Sequence, residues 1–187
     1  LGVGATTYFL RRSESSRTPD RPQRVAVLPF ENQSGAEVYD GIDQLAAVAV
    51  SRQLQTLPKV SVFVARTANE AVSLGATYIV YGYLAGSAAK PVLHQFVEDA
   101  ARHQVVAQGS SEGSPWLHNL SAVASSVQGL IRPSGKLAAY EFHNEQSARL
   151  FAAGLRSQGP EAASRFEAAA AADPAYGWCW LAWVEQA

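Results

Sequence analysis

The sequence predicts an α/β domain with a mixed sheet and helices packed on it, followed by a short α-helical hairpin. Three observations predict it. Short apolar runs of strand length alternate with stretches whose apolar residues recur at helical spacing. Turn and capping residues separate these runs. Past Arg132-Pro133-Ser134-Gly135 the chain changes to Ala-rich helix. With 187 residues, 48% hydrophobic and 17% charged, the chain can bury one ordinary core and carry a small appendage.

Val25-Ala26-Val27-Leu28-Pro29-Phe30 is an apolar run of buried-strand type, ended by Pro29 and the turn-rich Asn32-Gln33-Ser34-Gly35. From Val38 to Leu57, Ile42, Leu45, Ala46, Ala49, Val50 and Leu54 recur on one helical face, and Pro58 stops that helix. Val60 to Val64 reads as a second strand. Thr67-Ala68-Asn69-Glu70 matches a capping box opening a short helix that Gly75 closes. Tyr78 to Leu84 is a third strand. Val92–Val97 and Val105–Gln108 form a hairpin around Asp99-Ala100-Ala101-Arg102-His103. Ser114-Pro115 begins a helix whose apolar face is Trp116, Leu120, Val123, Val127 and Leu130. Beyond residue 140, Ala148, Phe151, Ala152 and Leu155 make one stripe, and Ala162, Phe166, Ala169 and Ala170 the next. Gly159-Pro160 breaks the chain between them, and Asp173-Pro174 precedes a third helix.

The amino terminus reads differently. Leu1 to Leu10 is an uncharged run ending on Arg11-Arg12, half the roughly 20 residues that span a bilayer. Residues 1–10 are expected to be the end of a transmembrane anchor, with Tyr8, Phe9, Arg11 and Arg12 at the membrane interface. Residues 11–24 carry five arginines against Glu14 and Asp20, with Pro19 and Pro22, and form a solvated basic linker suited to an anionic bilayer.

Composition excludes several chemistries. A net charge of −1 without a basic, aromatic-interleaved stripe gives no attraction to nucleic acid. One cysteine, Cys179, and four scattered histidines provide no metal-site spacing, and no cofactor or small-molecule site is evident. Glu98-Asp99 beside Arg102-His103 reads as a hairpin tip, and His94 as a solvent-facing strand residue. Gly109-Ser110-Ser111-Glu112-Gly113 matches the hydrolase pattern G-x-S-x-G, with Glu141 or Asp173 as acid and His118 or His143 as base. No oxyanion loop accompanies it, and a turn between strand and helix is the simpler reading of the same residues.

Two stretches resemble known families. From Arg24 to Ile131 the chain resembles the TolB amino-terminal-like domain of bacterial envelope proteins and of segments beside transmembrane kinases. The resemblance rests on Val25-Ala26-Val27-Leu28-Pro29-Phe30-Glu31-Asn32, Val64-Ala65-Arg66-Thr67, Gly75-Ala76-Thr77-Tyr78-Ile79-Val80-Tyr81-Gly82 and Val97-Glu98-Asp99-Ala100-Ala101. Ala162, Phe166, Ala169 and Pro174 are similar in spacing to a tetratricopeptide repeat, with Trp180 and Trp183 where a following repeat starts. Gly154 lies only eight residues before Ala162, so that repeat is shortened. The implied domains are a TolB-like α/β unit over 25–132 and a TPR-like, incomplete helical segment over 140–187. These resemblances imply a non-catalytic scaffold that binds other proteins of the envelope, as an accessory subunit of a membrane complex. The alternatives are the sensor portion of a transmembrane serine/threonine kinase and a serine hydrolase using Ser111. Arg11-Arg12 favour a cytoplasmic location for the chain beyond them, whereas the resemblance implies the periplasm, which is the expected side.

Tyr176, Trp178, Trp180 and Trp183 concentrate aromatic surface at the end of an unfinished helical stack. They are the expected partner-binding residues, since aromatic side chains anchor protein interfaces.

Overall fold

A computed structural model describes residues 22–112, 117–133, 135–137, 142–175 and 177–186. The expected anchor and interface residues Tyr8, Phe9, Arg11 and Arg12 lie outside these, as do Trp116, Glu141, Tyr176 and the side chains of His118, Trp178 and Trp183. Among the described residues no helix is long and apolar enough to cross a membrane.

Strand β1 (Gln23–Val27) buries Val25, Ala26 and Val27 in succession, as a strand covered on both faces must. It pairs in parallel with β3 (Val60–Val64) and β4 (Tyr78–Ser87). β4 continues antiparallel into β5 (Lys90–Asp99) and β5 into β6 (Gln104–Glu112), giving the order β3-β1-β4-β5-β6. The run Val25–Phe30 is not one strand. Leu28 N–H still reaches Val80 O at 2.8 Å, but Pro29 has no N–H to give, and the chain rejoins β4 only as β2 (Glu31–Asn32). The last three strands outrun their predicted ends because each supplies the next with ladder partners. β6 therefore continues through Gly109-Ser110-Ser111-Glu112, read from sequence as a turn, with Glu112 opposite Val92.

Helix α1 (Ile42–Gln55) is shorter than predicted, because Gly41 takes a left-handed φ of 88° that a helix cannot contain; a single 3-10 turn, Glu37–Tyr39, precedes it. α1 and α3 (Leu117–Ile131) pack together on one face of the sheet, over Val25, Val27, Val80, Leu84, Leu93 and Val97. α2 (Ala68–Ser73) lies on the opposite face. Thr67 Oγ1 accepts from Glu70 N–H at 3.2 Å, while the Glu70 carboxylate accepts from Arg66 N–H at 2.7 Å, one residue outside a standard capping box. Bonds from Gly75 N–H to Val72 O and Ala76 N–H to Ala71 O, both 2.9 Å, close its other end.

The two faces are therefore covered unequally. Six helical residues extend about 9 Å, whereas ten-residue β4 extends about 33 Å. α2 buries a small cluster of Ala26, Ala65, Ala71, Ile79 and Ala100, with Leu28, Phe63, Ala76 and Tyr81 packed half-buried at its margin.

Past the α/β layers, α4 (Glu145–Arg156) and α5 (Gly159–Ala172) form an antiparallel hairpin. Asn144 Nδ2 donates to Ala172 O at 2.8 Å and Ser147 Oγ to Ala169 O at 2.9 Å, so the start of one helix meets the end of the other. Gly159-Pro160, read as a break, opens α5, with Pro160 in its first turn where a missing N–H costs nothing. Phe142, Phe151 and Phe166 pack in series, at 5.6 and 5.2 Å between centroids. α6 (Gly177–Gln186) packs on α5 and buries Cys179 beside Ser147. The hairpin joins the sheet layers through α1. A Cβ on Gly41 would stand 3.2 Å from that of Ala152, and one hydrophobic core runs from Leu45 and Tyr39 into Ala148, Phe151 and Ala152.

Two glycines test this packing. A Cβ at Gly154 would meet the Phe166 ring at 2.6 Å, whereas one at Gly129, inside α3, meets nothing within 4 Å. In urea unfolding, Gly154→Ala costs about 1–3 kcal/mol and Gly129→Ala gains up to about 1 kcal/mol. Equal effects would refute the packing.

Burial pushes the Cys179 thiol up from 9.0 to about 11, with Asp173 adding to the shift and the Ser147 hydrogen bond opposing it. The unfolded chain loses this proton near 9.0 and the folded chain only near about 11, so this stability is present below pH 9.0 and lost as pH rises to about 11. Thermal midpoints measured across that window fall more steeply for the native chain than for Cys179→Ala.

Candidate functional site

The side of the sheet away from α1 and α3 carries a row of rings where the cover of α2 ends. Tyr81 and Tyr83 alternate onto this side of β4, and the register sets Tyr81 opposite Phe96 and Tyr83 opposite His94. Tyr81 stacks on Phe96 at 5.3 Å and 19°, Tyr83 on His94 at 4.6 Å and 25°, and Tyr83 on Phe96 at 6.1 Å and 27°. Each ring is half-buried. Aromatic pairs contribute about 0.5–1.5 kcal/mol each, so the row zips β4 to β5 while leaving ring edges to solvent.

Beside the row is a groove of about 410 Å³, with Tyr81, Tyr83 and Phe96 as one wall and Leu28 and Pro29 as the other. Glu31, held by Gln33 Nε2 at 2.7 Å, and the exposed Arg66 stand at its lip. Its position is set by the chain path. β1 leads to α1 on one face and β3 leads to α2 on the other, so the loops after these adjacent parallel strands diverge. The crevice left outside the carboxyl ends of such strands is the recurrent ligand site of open α/β sheets. Gly82 seats the loop that forms the second wall: a Cβ there would meet the Phe30 ring at 2.6 Å and collide with the His94 carbonyl. Burial, then the carboxylate of Glu98, pushes the Tyr81 phenol up from its ordinary value.

A second groove of about 450 Å³ lies at the start of α1, between Glu31, Asp40 and Asp43 on one side and Arg156 on the other. It sits on the join between the α/β layers and the helical hairpin, and Asp40 already accepts from Asn32 Nδ2 at 3.0 Å. Protein interfaces draw their binding energy chiefly from aromatic and Arg side chains in partly desolvated pockets. The first groove joins three half-buried rings and Arg66 to one carboxylate, Glu31, whereas the second sets Arg156 among three carboxylates and its one ring, Phe30, is fully buried, so the first is the candidate site.

Of the aromatic cluster expected at the carboxyl end, Trp180 is 42% exposed, and its Nε1–H donates to Pro174 O at 3.2 Å. Val184, one turn on, is 67% exposed, so α6 does present an apolar outer surface. Tyr176 and the rings of Trp178 and Trp183 fall outside the described residues.

Ser111 sits in the β6 ladder opposite Leu93, extended rather than on the sharp turn that exposes a hydrolase nucleophile. His143 and Asp173 do come together: Nδ1 lies 2.9 and 3.1 Å from the Asp173 carboxylate oxygens, and the His143 backbone N–H donates at 2.7 Å. Asp173 is 3% exposed at the end of α5, where the pair fastens the segment before α4. Glu98 pairs with His103 at 3.4 Å and Asp99 with Arg102 at 3.2 Å, both within the hairpin tip. No group of His, Cys, Asp and Glu among the described residues could hold a metal ion.

The aromatic row is the feature that sequence reasoning missed. Tyr81, Tyr83, His94 and Phe96 are spaced two apart in two strands, a signal that becomes a surface only once the register is known. A fluorophosphonate probe is expected to leave this protein unlabelled. Labelling that disappears in Ser111→Ala would instead establish a nucleophilic serine.

No family model and no curated protein matches the sequence. Several solved structures are similar to part of it. A PelC dodecamer from Paraburkholderia phytofirmans shares 20% identity over 59% of this chain and 85% of that chain, with a TM-score of 0.40. TolB from Acinetobacter baumannii shares 16% identity over 63% of this chain and 30% of that one, with a TM-score of 0.41. The LpoB C-terminal domain from Escherichia coli shares 14% identity over 50% of this chain and 83% of that domain, with a TM-score of 0.38. These similarities cover only part of this chain.

Proposed function

We propose that this chain is a non-catalytic protein-binding module of the bacterial envelope, which receives a partner segment in the groove beside its aromatic row. The observation that carries this reading is the stack of Tyr81, Tyr83, His94 and Phe96, left half-buried at and past the margin of the cluster under α2, next to a crevice lipped by Arg66. Rings held rigid by cross-strand stacking lose little entropy on binding. Such a surface favours a protein partner over a small polar substrate.

The remaining parts fit around that role. Residues 1–10 tether the chain to the membrane, and the basic 11–24 linker lies along the anionic surface. Residues 25–132 form the TolB-like binding domain, on the periplasmic side. Residues 140–187 form a TPR-like segment whose last helix offers a second contact through Tyr176, Trp178, Trp180 and Trp183. The exposure of Trp180 and Val184 favours that second contact. A module of this kind serves as an accessory subunit of a larger membrane complex.

Site-specific photo-crosslinking in cells tests the reading. A photoreactive residue at Tyr83 is expected to yield one discrete protein adduct, lost when Arg66→Glu is added, while the same residue at the exposed Glu167 yields none. Adducts from Trp180 with none from Tyr83 would move the site to α6.

A further inference from the structure

Among the described residues the strand path ends on β3 at one side and β6 at the other, and the two edges are built differently. β3 is five residues long and stands between Lys59 and Arg66. Shortness and flanking cations are devices that keep a sheet edge from pairing with another chain. β6 is nine residues long, and none of them is buried. From Gln104 to Ser111 it has neither charge nor proline, and Val105 and Val106 are 47% and 40% exposed. One blunting device is present: the register slips between Val97 and Glu98, so that Val106 has no partner on β5. That bulge bends the start of the strand and leaves Ala107 to Glu112 in regular ladder.

We infer that β6 pairs with β6 of a second copy of this chain, antiparallel about a two-fold axis near Gln108, joining two sheets edge to edge. A two-fold axis sets each residue near it beside its own counterpart, so a charge there would face itself. A run without charge is what such an axis requires. Centred on Gln108, the pairing sets Ala107 beside Gly109 of the other copy within the regular run, and Glu112 falls four residues from the axis, away from its twin. An axis of this kind stands perpendicular to the sheet, and both aromatic rows then lie on the same side. The pair presents two grooves together, which raises avidity for any partner carrying two binding segments.

Sedimentation equilibrium of the full chain in mild detergent, from about 10 to about 200 µM (a range bracketing modest dimer affinities), tests this. The weight-average mass of the protein should rise with concentration from 20.0 kDa toward twice that value. Gln108→Lys, exposed and on the axis, should weaken dimerisation about tenfold or more by setting like charges opposite each other. Glu167→Ala, exposed on α5, should leave it unchanged. Gln108→Cys should form a disulfide-linked dimer under mild oxidation, since the native Cys179 is buried. A chain that stays at 20.0 kDa throughout overturns the inference, whatever β6 pairs with elsewhere. So does association that survives Gln108→Lys but is lost in Phe96→Ala, which would place the contact on the aromatic face.

Discussion

The unequal cover of the sheet is the constraint on which the rest of this structure depends. A parallel β1-α1-β3 crossover puts α1 on one face, and the return from β3 to β4 puts α2 on the other. α3 then comes back over α1's side, so among the described residues one face is layered by two long helices and the opposite face by the six-residue α2. Tyr78, Val80 and Leu84 are sealed, while their neighbours Tyr81 and Tyr83, one residue out of phase, reach the other side and stay half-buried. Stacking on His94 and Phe96 holds them there without a covering layer.

The helical hairpin depends on the covered face in turn. Because α1 begins at a left-handed glycine, the chain before it passes close enough for Ala152 and Arg156 of α4 to rest on Gly41. Tyr39, buried at the same corner, donates its hydroxyl to Ala88 O at 2.8 Å and so ties the β4–β5 turn to the start of α1. Its phenol is pushed up by burial first and by Glu145 next, with Arg149 opposing, which records how near α4 lies. The second groove falls on this join, and its carboxylates suit a solvated seam better than an apolar contact.

Much of this was legible in the sequence because each element announces itself locally. The helical spacing of Ile42 to Leu54, the Thr67–Glu70 cap and the small residues from Ala148 to Ala170 all depend on near neighbours, and all appear where expected. What escaped depends on distant ones. The extension of β6 through Ser111 is set by the length of β5, and β2 exists because β4 runs on past the break at Pro29. The aromatic row needs the β4–β5 register before four scattered residues become one surface. The pairing of His143 with Asp173 was half legible, as two members of a triad pattern, but its setting at the end of α5 is that of a fastening between helices.

Hydroxyl-radical footprinting of the full chain, alone and in complex with a protein partner recovered by crosslinking at Tyr83, tests the central claim most directly. In the free protein Tyr81, Tyr83, His94 and Phe96 should be labelled and the buried Tyr39 and Tyr78 should not; in the complex the four should become protected. Continued labelling of those four in the complex, with protection confined to α6, would contradict the assignment of the aromatic face as the binding surface.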